Sequence, residues 1–166
     1  RTPSEGMVVS SQSYRATTAR KMVMELLVSD QPDREVAHDP SSELWKYAAE
    51  QDVKTGRFPP KFSLEPDSSH PAIAVNMDAC IQCGLCVRAC REVQVNDVIG
   101  LAGRGADAHI VFDFGDDLGA STCVGCGECV QACPTGALMP KTLLDDEQKL
   151  AITPDRHVDS VCPYCG

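Results

Sequence analysis

The stretch "STCVGCGECVQACPTGAL" (residues 121–138) decides the fold, because it spaces four cysteines regularly and follows the last with a proline. The stretch "MDACIQCGLCVRACREVQ" (77–94) repeats that spacing. We call these the first and second cysteine runs, in chain order: Cys80, Cys83, Cys86 and Cys90 in the first, and Cys123, Cys126, Cys129 and Cys133 in the second. A final fragment, "CPYCG", contains Cys162 and Cys165.

The composition favours a small fold held together by more than apolar packing. The chain has 166 residues and ten cysteines but only 5% aromatic residues, so its apolar core is thin. Clustered cysteines favour metal binding over a secreted disulfide scaffold. The N-terminal "RTPSEGMVVSSQ" has no signal-peptide pattern, and no apolar run is long enough to span a bilayer. We therefore expect a cytoplasmic protein without direct membrane insertion.

The net charge of −9 argues against a nucleic-acid partner, because binding to phosphates requires a basic surface. An acidic surface that keeps the protein soluble is the simpler explanation of the charge.

Each cysteine run has the spacing C-x2-C-x2-C-x3-C, typical of proteins that hold two [4Fe–4S] clusters. Three closely spaced thiolates wrap three corners of a cube, and the fourth cysteine of each run ligates the other cluster. The spacing predicts two ligand sets, each made of the first three cysteines of one run and the fourth cysteine of the other run. Set one is Cys80, Cys83, Cys86 and Cys133, and set two is Cys123, Cys126, Cys129 and Cys90.

Two details refine this prediction. Pro134 follows Cys133 and fixes its own φ, whereas Arg91 stands at the matching position of the first run. We expect the fourth cysteine of each run to lie at the start of a helix. Zinc is the main rival metal, although zinc sites usually pair two C-x2-C units across a longer gap, and a disulfide scaffold is the other alternative. Two cubes in a small fold indicate single-electron transfer, with no catalytic residue in this stretch.

Periodicity predicts the remaining elements. We expect a strand at 7–13, a helix over "YRATTARKMVMELLVSD" and a second helix from Ser41 or Ser42 to Gly56. A hairpin is predicted in "NDVIGLAGRGADAHIVFDFG", and short helices at 87–93 and 130–133. The predicted fold is α+β: a mostly helical segment (1–57), a Pro-rich linker (58–79), a bacterial-type 2[4Fe–4S] ferredoxin-like domain (80–140) and a connector (141–166).

The runs, together with "VDSVCPYCG", resemble the iron–sulfur segment of the α subunit of NAD-linked, molybdenum- or tungsten-dependent formate dehydrogenases. They are also similar to the large iron–sulfur subunit of respiratory complex I and to the electron-entry domains of iron hydrogenases. The resemblance implies that Cys162 and Cys165 belong to a third [4Fe–4S] cluster. It further implies an absent [2Fe–2S] domain before Arg1 and a bis-pterin domain beginning in 141–166.

The resemblance also implies a function: formate is oxidised to CO2 at a Mo or W bis-pterin guanine dinucleotide. The electrons leave through [4Fe–4S] clusters towards FMN and NAD on diaphorase-type partner subunits that carry further Fe–S clusters, in a hetero-oligomer. The alternatives are the iron–sulfur subunit of an iron hydrogenase or complex I-like enzyme, and a freestanding 2[4Fe–4S] ferredoxin.

One departure from the family lies in "SDQPDREVAHDPSSELWKYA", where the family often has a cluster held by one histidine and three cysteines. Gln31 replaces the histidine, and Glu35, His38 and Glu43 replace the cysteines, so we expect that cluster to be absent. We expect His38 to be solvated, and Trp45 and Tyr47 to be packing residues.

Overall fold

A computed structural model of the protein describes residues 2–60, 64–156 and 158. Two pairs of short antiparallel strands frame the cysteine runs: β1 (Ile73–Val75) with β4 (Leu138–Pro140), and β2 (Ile99–Ala102) with β3 (His109–Phe112). The second pair confirms the predicted hairpin. Strand β1 of the first pair lies within the stretch 58–79 that was predicted to be a Pro-rich linker.

Three short helical segments carry cysteines of the runs. Helix α3 (Leu85–Arg88) continues as a π-helix (Ala89–Val93), and α4 (Glu128–Ala132) ends at Cys133. Both α-helices begin two residues earlier than predicted. The expectation that the fourth cysteine begins a helix is wrong, because Cys90 lies inside the continuous helical stretch 85–93 and Cys133 directly follows the last residue of α4. In the described part of the chain, four 3-10 turns adjoin these elements: Met77–Ala79, Gly105–Asp107, Leu118–Ala120 and Lys141–Leu143.

The proline explains why the two helices end differently. Pro134 follows Cys133, and the residue before a proline is disfavoured in helical conformation, so Cys133 is extended at φ −77° and ψ 120°. Arg91 imposes no such restriction, and the first run stays helical through Cys90 to Val93.

Apolar side chains from both strand pairs and both runs form the main core. Its members are Ile73, Val75, Cys86, Cys90, Val98, Ile99, Ile110, Phe112, Leu118, Cys129 and Leu138. Three thiols are therefore core residues, so the same packing that stabilises the fold keeps water from the cysteine sites.

The N-terminal segment has two helices, α1 (Tyr14–Ser29) and α2 (Glu43–Glu50). Both were predicted, but α2 ends well before Gly56, and the predicted strand at 7–13 does not form. Their small core contains Val28, Ala37, Trp45, Ala48 and Val53. Trp45 is buried as expected, whereas Tyr47 is exposed.

The helical segment packs directly on the cysteine-rich part. The Leu44 N–H at the start of α2 donates to the carbonyl of Pro134 at 3.0 Å, and the Leu150 N–H donates to the carbonyl of His38 at 2.9 Å. The first bond ties α2 to the loop after the second run, and the second ties the connector to the loop before α2. Within the described ranges, no helix combines the length and apolarity needed to cross a bilayer.

Candidate iron–sulfur site

The four cysteines of set one line one cavity. Cys80, Cys83, Cys86 and Cys133 meet there with apolar neighbours such as Ile110. Burial raises the pKa of the Cys80 thiol, and the nearby Cys133 and Cys83 thiols raise it further. The last cysteine of the second run therefore lies with three cysteines of the first.

The cysteines of set two are also neighbours. Burial raises the pKa of Cys123, and the charges of Cys126 and Cys90 act in the same direction. Burial raises the pKa of Cys129 to about 12, with smaller effects of Cys123, Cys126, Cys86 and Cys90. Cys90 thus lies near cysteines of the second run. The two ligand sets themselves stay predictions.

The chemistry of the thiols fits a cationic group. Burial is also the main cause that raises the pKa of Cys86 to about 12, so the thiol is protonated at neutral pH. Metal ligation requires the thiolate, and a bound metal supplies the positive charge that stabilises it. Cluster assembly must therefore release protons from these buried sites.

Backbone amides donate to sulfur at matching positions of the two runs. The Gln82 N–H donates to Cys80 Sγ and the Gly125 N–H to Cys123 Sγ, both at 3.4 Å. The Val98 N–H donates to Cys90 Sγ at the same distance. Such bonds stabilise negative charge on sulfur, so the local backbone is suited to thiolate ligands.

A glycine precedes the helix in each run. Gly84 (φ +72°) and Gly127 (φ +79°) are the N-caps of α3 and α4 in left-handed conformation. This conformation turns the chain between the second and third cysteines of a run and costs glycine little.

A single metal ion is less suited to this arrangement. Among residues 2–60, 64–156 and 158, no group of three or more His, Cys, Asp or Glu side chains forms a site for one ion. A tetrahedral zinc site needs four ligands around one centre, whereas a cube separates its ligand sulfurs widely. The donor set and its spacing fit the cube better than zinc.

Two residues near the sulfurs escaped the sequence analysis. The Thr135 hydroxyl lies 3.6 Å from Cys133 Sγ, and Asn96 Nδ2 lies 3.9 Å from Cys126 Sγ. Thr135 directly follows the Cys-Pro dipeptide, a position from which a short side chain can reach back to the sulfur. No comparable signal marked Asn96.

His38 corrects a prediction, because its side chain is buried rather than solvated. Nε2 lies 3.2 Å from Asp78 Oδ1, and Nδ1 lies 2.9 Å from the carbonyl of Gln148. Burial alone would lower the pKa of His38, but the hydrogen bonds with Asp78 and Gln148 outweigh it and raise that pKa. His38 thus links the helical segment to the first run and to the connector.

The other residues that replace the family's histidine and cysteine ligands do not join His38. Gln31 is buried, whereas Glu35 and Glu43 are exposed, and Glu43 binds Lys46 at 2.7 Å. The absence of that cluster stays a prediction. Cys162 and Cys165 lie outside the described residues.

Residues 79–137 match the family model of the 4Fe-4S dicluster domain. This stretch is a 4Fe-4S dicluster domain. The match supports the ferredoxin-like part of the predicted α+β fold, and the helical segment before it is consistent with the prediction.

Relatives of this dicluster-containing chain are large redox proteins. The NADP-reducing hydrogenase subunit HndD of Solidesulfovibrio fructosivorans is 31% identical over 157 residues, which cover 93% of this chain and 27% of that protein. An NADH-quinone oxidoreductase subunit of Rhizobium meliloti is 31% identical over 169 residues, which cover 98% of this chain and 19% of that protein. The Bacillus subtilis protein YrhE is provisionally named a formate dehydrogenase. It is 43% identical over 82 residues, which cover 49% of this chain and 8% of that protein.

The chain spans about a quarter or less of the length of these curated relatives. A solved NAD+-reducing [NiFe]-hydrogenase structure in the H2-reduced state has a TM-score of 0.68 and 26% identity, covering 79% of this chain and 57% of that one. The dicluster domain thus occurs in an arrangement shared with several oxidoreductases.

Proposed function

We propose that residues 79–137 hold two [4Fe–4S] clusters and conduct single electrons within a larger NAD(P)-linked oxidoreductase in the cytoplasm. The observation that carries this proposal is the cavity lined by Cys80, Cys83, Cys86 and Cys133, which joins the two runs. The chemistry that the clusters supply when bound is one-electron transfer.

The protein's own residues have three tasks in this process. Buried thiols at Cys86, Cys90 and Cys129 place one side of each site against the apolar core. Backbone N–H groups stabilise the charge on the sulfurs. Each set also contains one exposed cysteine, Cys83 in set one and Cys126 in set two, so each site reaches the surface. This arrangement supports a relay in which each cluster can exchange electrons at the surface.

An experiment on the isolated chain tests cluster binding. After anaerobic reconstitution we expect about eight iron and eight sulfide per chain, which is two cubes. The reduced protein should give the paramagnetic resonance signals of two [4Fe–4S]+ clusters. A colourless protein that binds zinc, or whose cysteines form disulfides, would contradict the proposal.

We further propose that the parent enzyme is a formate dehydrogenase. In this enzyme a Mo or W bis-pterin oxidises formate, and partner subunits carry FMN and NAD. The 43% identity to YrhE supports this assignment. Cys162 and Cys165 would then ligate part of a third cluster between the pterin and set one or set two.

A hydrogenase or complex I-like enzyme is the second candidate, and the extent of the matches favours it. HndD and the Rhizobium meliloti protein match 93% and 98% of the chain, whereas YrhE matches 49%. These two relatives therefore also match the helical segment before the dicluster domain. Electron conduction through 79–137 is the same in both candidates.

The full-length protein that contains this segment, purified with its partners, separates the candidates. A formate dehydrogenase should contain Mo or W and reduce NAD(P)+ with formate. A hydrogenase should reduce NAD(P)+ with H2 and contain neither metal. NADH–quinone activity without either substrate would identify a complex I-like enzyme.

A further inference from the structure

Thr135 is a buried hydroxyl beside a cysteine of set one. Its side chain lies two residues after Cys133, with Oγ1 3.6 Å from Cys133 Sγ, and only 3% of the residue is exposed. In such an environment an unpaired hydroxyl proton is costly, so the orientation of the O–H bond is determined by the acceptors within reach.

A second hydrogen bond determines that orientation. The Ala137 N–H donates to Thr135 Oγ1 at 3.3 Å, so the hydroxyl oxygen is already an acceptor. A cysteine that ligates iron is a thiolate and has no proton to donate. The Thr135 proton must therefore be the one shared with Cys133 Sγ, and the bond is O–H···S.

Set two has no corresponding hydroxyl. The residue two positions after Cys90 is Glu92, which is exposed and binds Arg88 at 3.1 Å. Cys90 Sγ instead accepts the Val98 N–H, a backbone donor that ordinary side-chain substitutions leave in place. The hydroxyl donor therefore distinguishes set one from set two.

We infer that Thr135 is a positioning residue that raises the reduction potential of the cluster held by set one. Reduction adds negative charge to the cluster, and a hydrogen bond to a ligand sulfur stabilises the reduced form more than the oxidised form. This inference rests on the proposed function, because it requires a cluster at Cys133.

The test compares Thr135→Val with Thr135→Ser in the reconstituted chain. Valine keeps the shape of threonine but removes the hydroxyl, whereas serine keeps it. We expect Thr135→Val to make reduction of one cluster roughly tenfold less favourable, a shift of about 59 mV to more negative potential. The second cluster should keep its potential, and Thr135→Ser should behave like the wild type. Redox titration followed by electron paramagnetic resonance measures both potentials.

Two controls separate a specific effect from loosened packing. Thr17→Val removes a hydroxyl that bonds to backbone at the start of α1 and should change neither potential. In the wild type labelled with 15N, electron–nuclear double resonance should detect, at the reduced cluster of set one, an exchangeable proton that is not bound to nitrogen, which distinguishes the Thr135 hydroxyl from the Gln82 N–H on Cys80 Sγ. This measurement decides the matter if Thr135→Val does not retain its iron.

Three results would overturn the inference: unchanged potentials in Thr135→Val, an equal shift of both clusters, or, in the 15N-labelled wild type, no exchangeable proton at the set-one cluster other than protons bound to nitrogen. A wild-type chain that holds no cubes would instead overturn the proposed function, which is a distinguishable outcome.

Discussion

Cys90 and Cys133 each end a cysteine run, and each lies among thiols of the other run. If the two sets exchange these residues, removing Cys90 must damage the cluster of the second run rather than its own. We expect Cys90→Ser to alter or remove the cluster anchored by Cys123, Cys126 and Cys129. The variant protein should then contain as little as about half of the wild-type iron. Iron analysis and electron paramagnetic resonance measure this loss.

Cys133→Ser is the matched variant, because it should damage the cluster anchored by Cys80, Cys83 and Cys86. If Cys90→Ser instead removed the first-run cluster and left the second-run cluster intact, each run would bind its own cube. That result would refute the exchange.

His38 connects three parts of the chain through one imidazole, so its loss should weaken the whole fold. We expect His38→Gln to lower the free energy of unfolding by about 1–3 kcal/mol, since it removes a buried bond to the Asp78 carboxylate. Thermal or chemical unfolding measures the difference. His109→Gln, a substitution of an exposed histidine, should change stability little.

The same residue predicts a pH dependence. The pKa of His38 is raised in the folded protein above its usual value near 6.5, so folding favours the protonated form. This contribution to stability is complete below about pH 6.5 and is lost as pH rises through the folded pKa. The stability difference between wild type and His38→Gln should therefore be larger at pH 6 than at pH 9. An equal difference at both pH values would show that His38 acts without its charge.

At the level of elements, the glycine before each short helix can be tested separately from side-chain packing. A Cβ at Gly127 would meet no atom within 4 Å, so Gly127→Ala tests only the left-handed backbone. We expect it to cost about 1–2 kcal/mol. The control is Gly100→Ala, whose Cβ would make an ordinary 3.6 Å contact with Val111 Cγ2. Equal unfolding free energies for the two variants would contradict this role of the backbone.

The elements that sequence could predict have a local signal. The hairpin of β2 and β3 has alternating apolar residues around a glycine-bearing turn, and the helices have apolar periodicity or a Ser cap. Strands β1 and β4 are three residues long and pair across the whole cysteine-rich stretch. No window of the sequence contains both partners, so this pair could be found only in three dimensions. Arg91 in place of proline allows the helix to continue past Cys90, but its π-helical form has no local signal in the sequence.

On the scale of the whole molecule, the candidate site was predictable and its surroundings were not. The spacing of eight cysteines indicated which thiols would meet. The contacts of Asn96 with Cys126 and of His38 with Asp78 depend on the packing of segments far apart in sequence, whereas Thr135 reaches Cys133 only two residues away. For His38 this is decisive, because a histidine in a polar loop is usually solvated, whereas here Asp78 and the connector enclose it.

The charge of the dicluster domain predicts its redox range. From Cys80 to Cys133 there are seven acidic side chains and three basic ones, a net charge of −4. Arg91 is bound to Asp97 at 2.6 Å and Arg88 to Glu92 at 3.1 Å, so the charges within each pair largely cancel and the net charge comes from the other residues. Each added electron makes a cluster more anionic, and an acidic surface opposes this. We therefore expect both reduction potentials to be negative.

Neutralising part of this charge should move the potentials in a known direction. Asp116→Asn combined with Glu128→Gln removes two negative charges within the dicluster domain and should raise the potentials at low ionic strength. The shift should shrink in high salt, because surface charges are screened over about 10 Å at 0.1 M. Glu5→Gln, outside the dicluster domain, is the control and should have no effect. Potentials that are clearly positive in the wild type, or that fall in the double variant, would show that solvent exposure or hydrogen bonding outweighs surface charge in this domain.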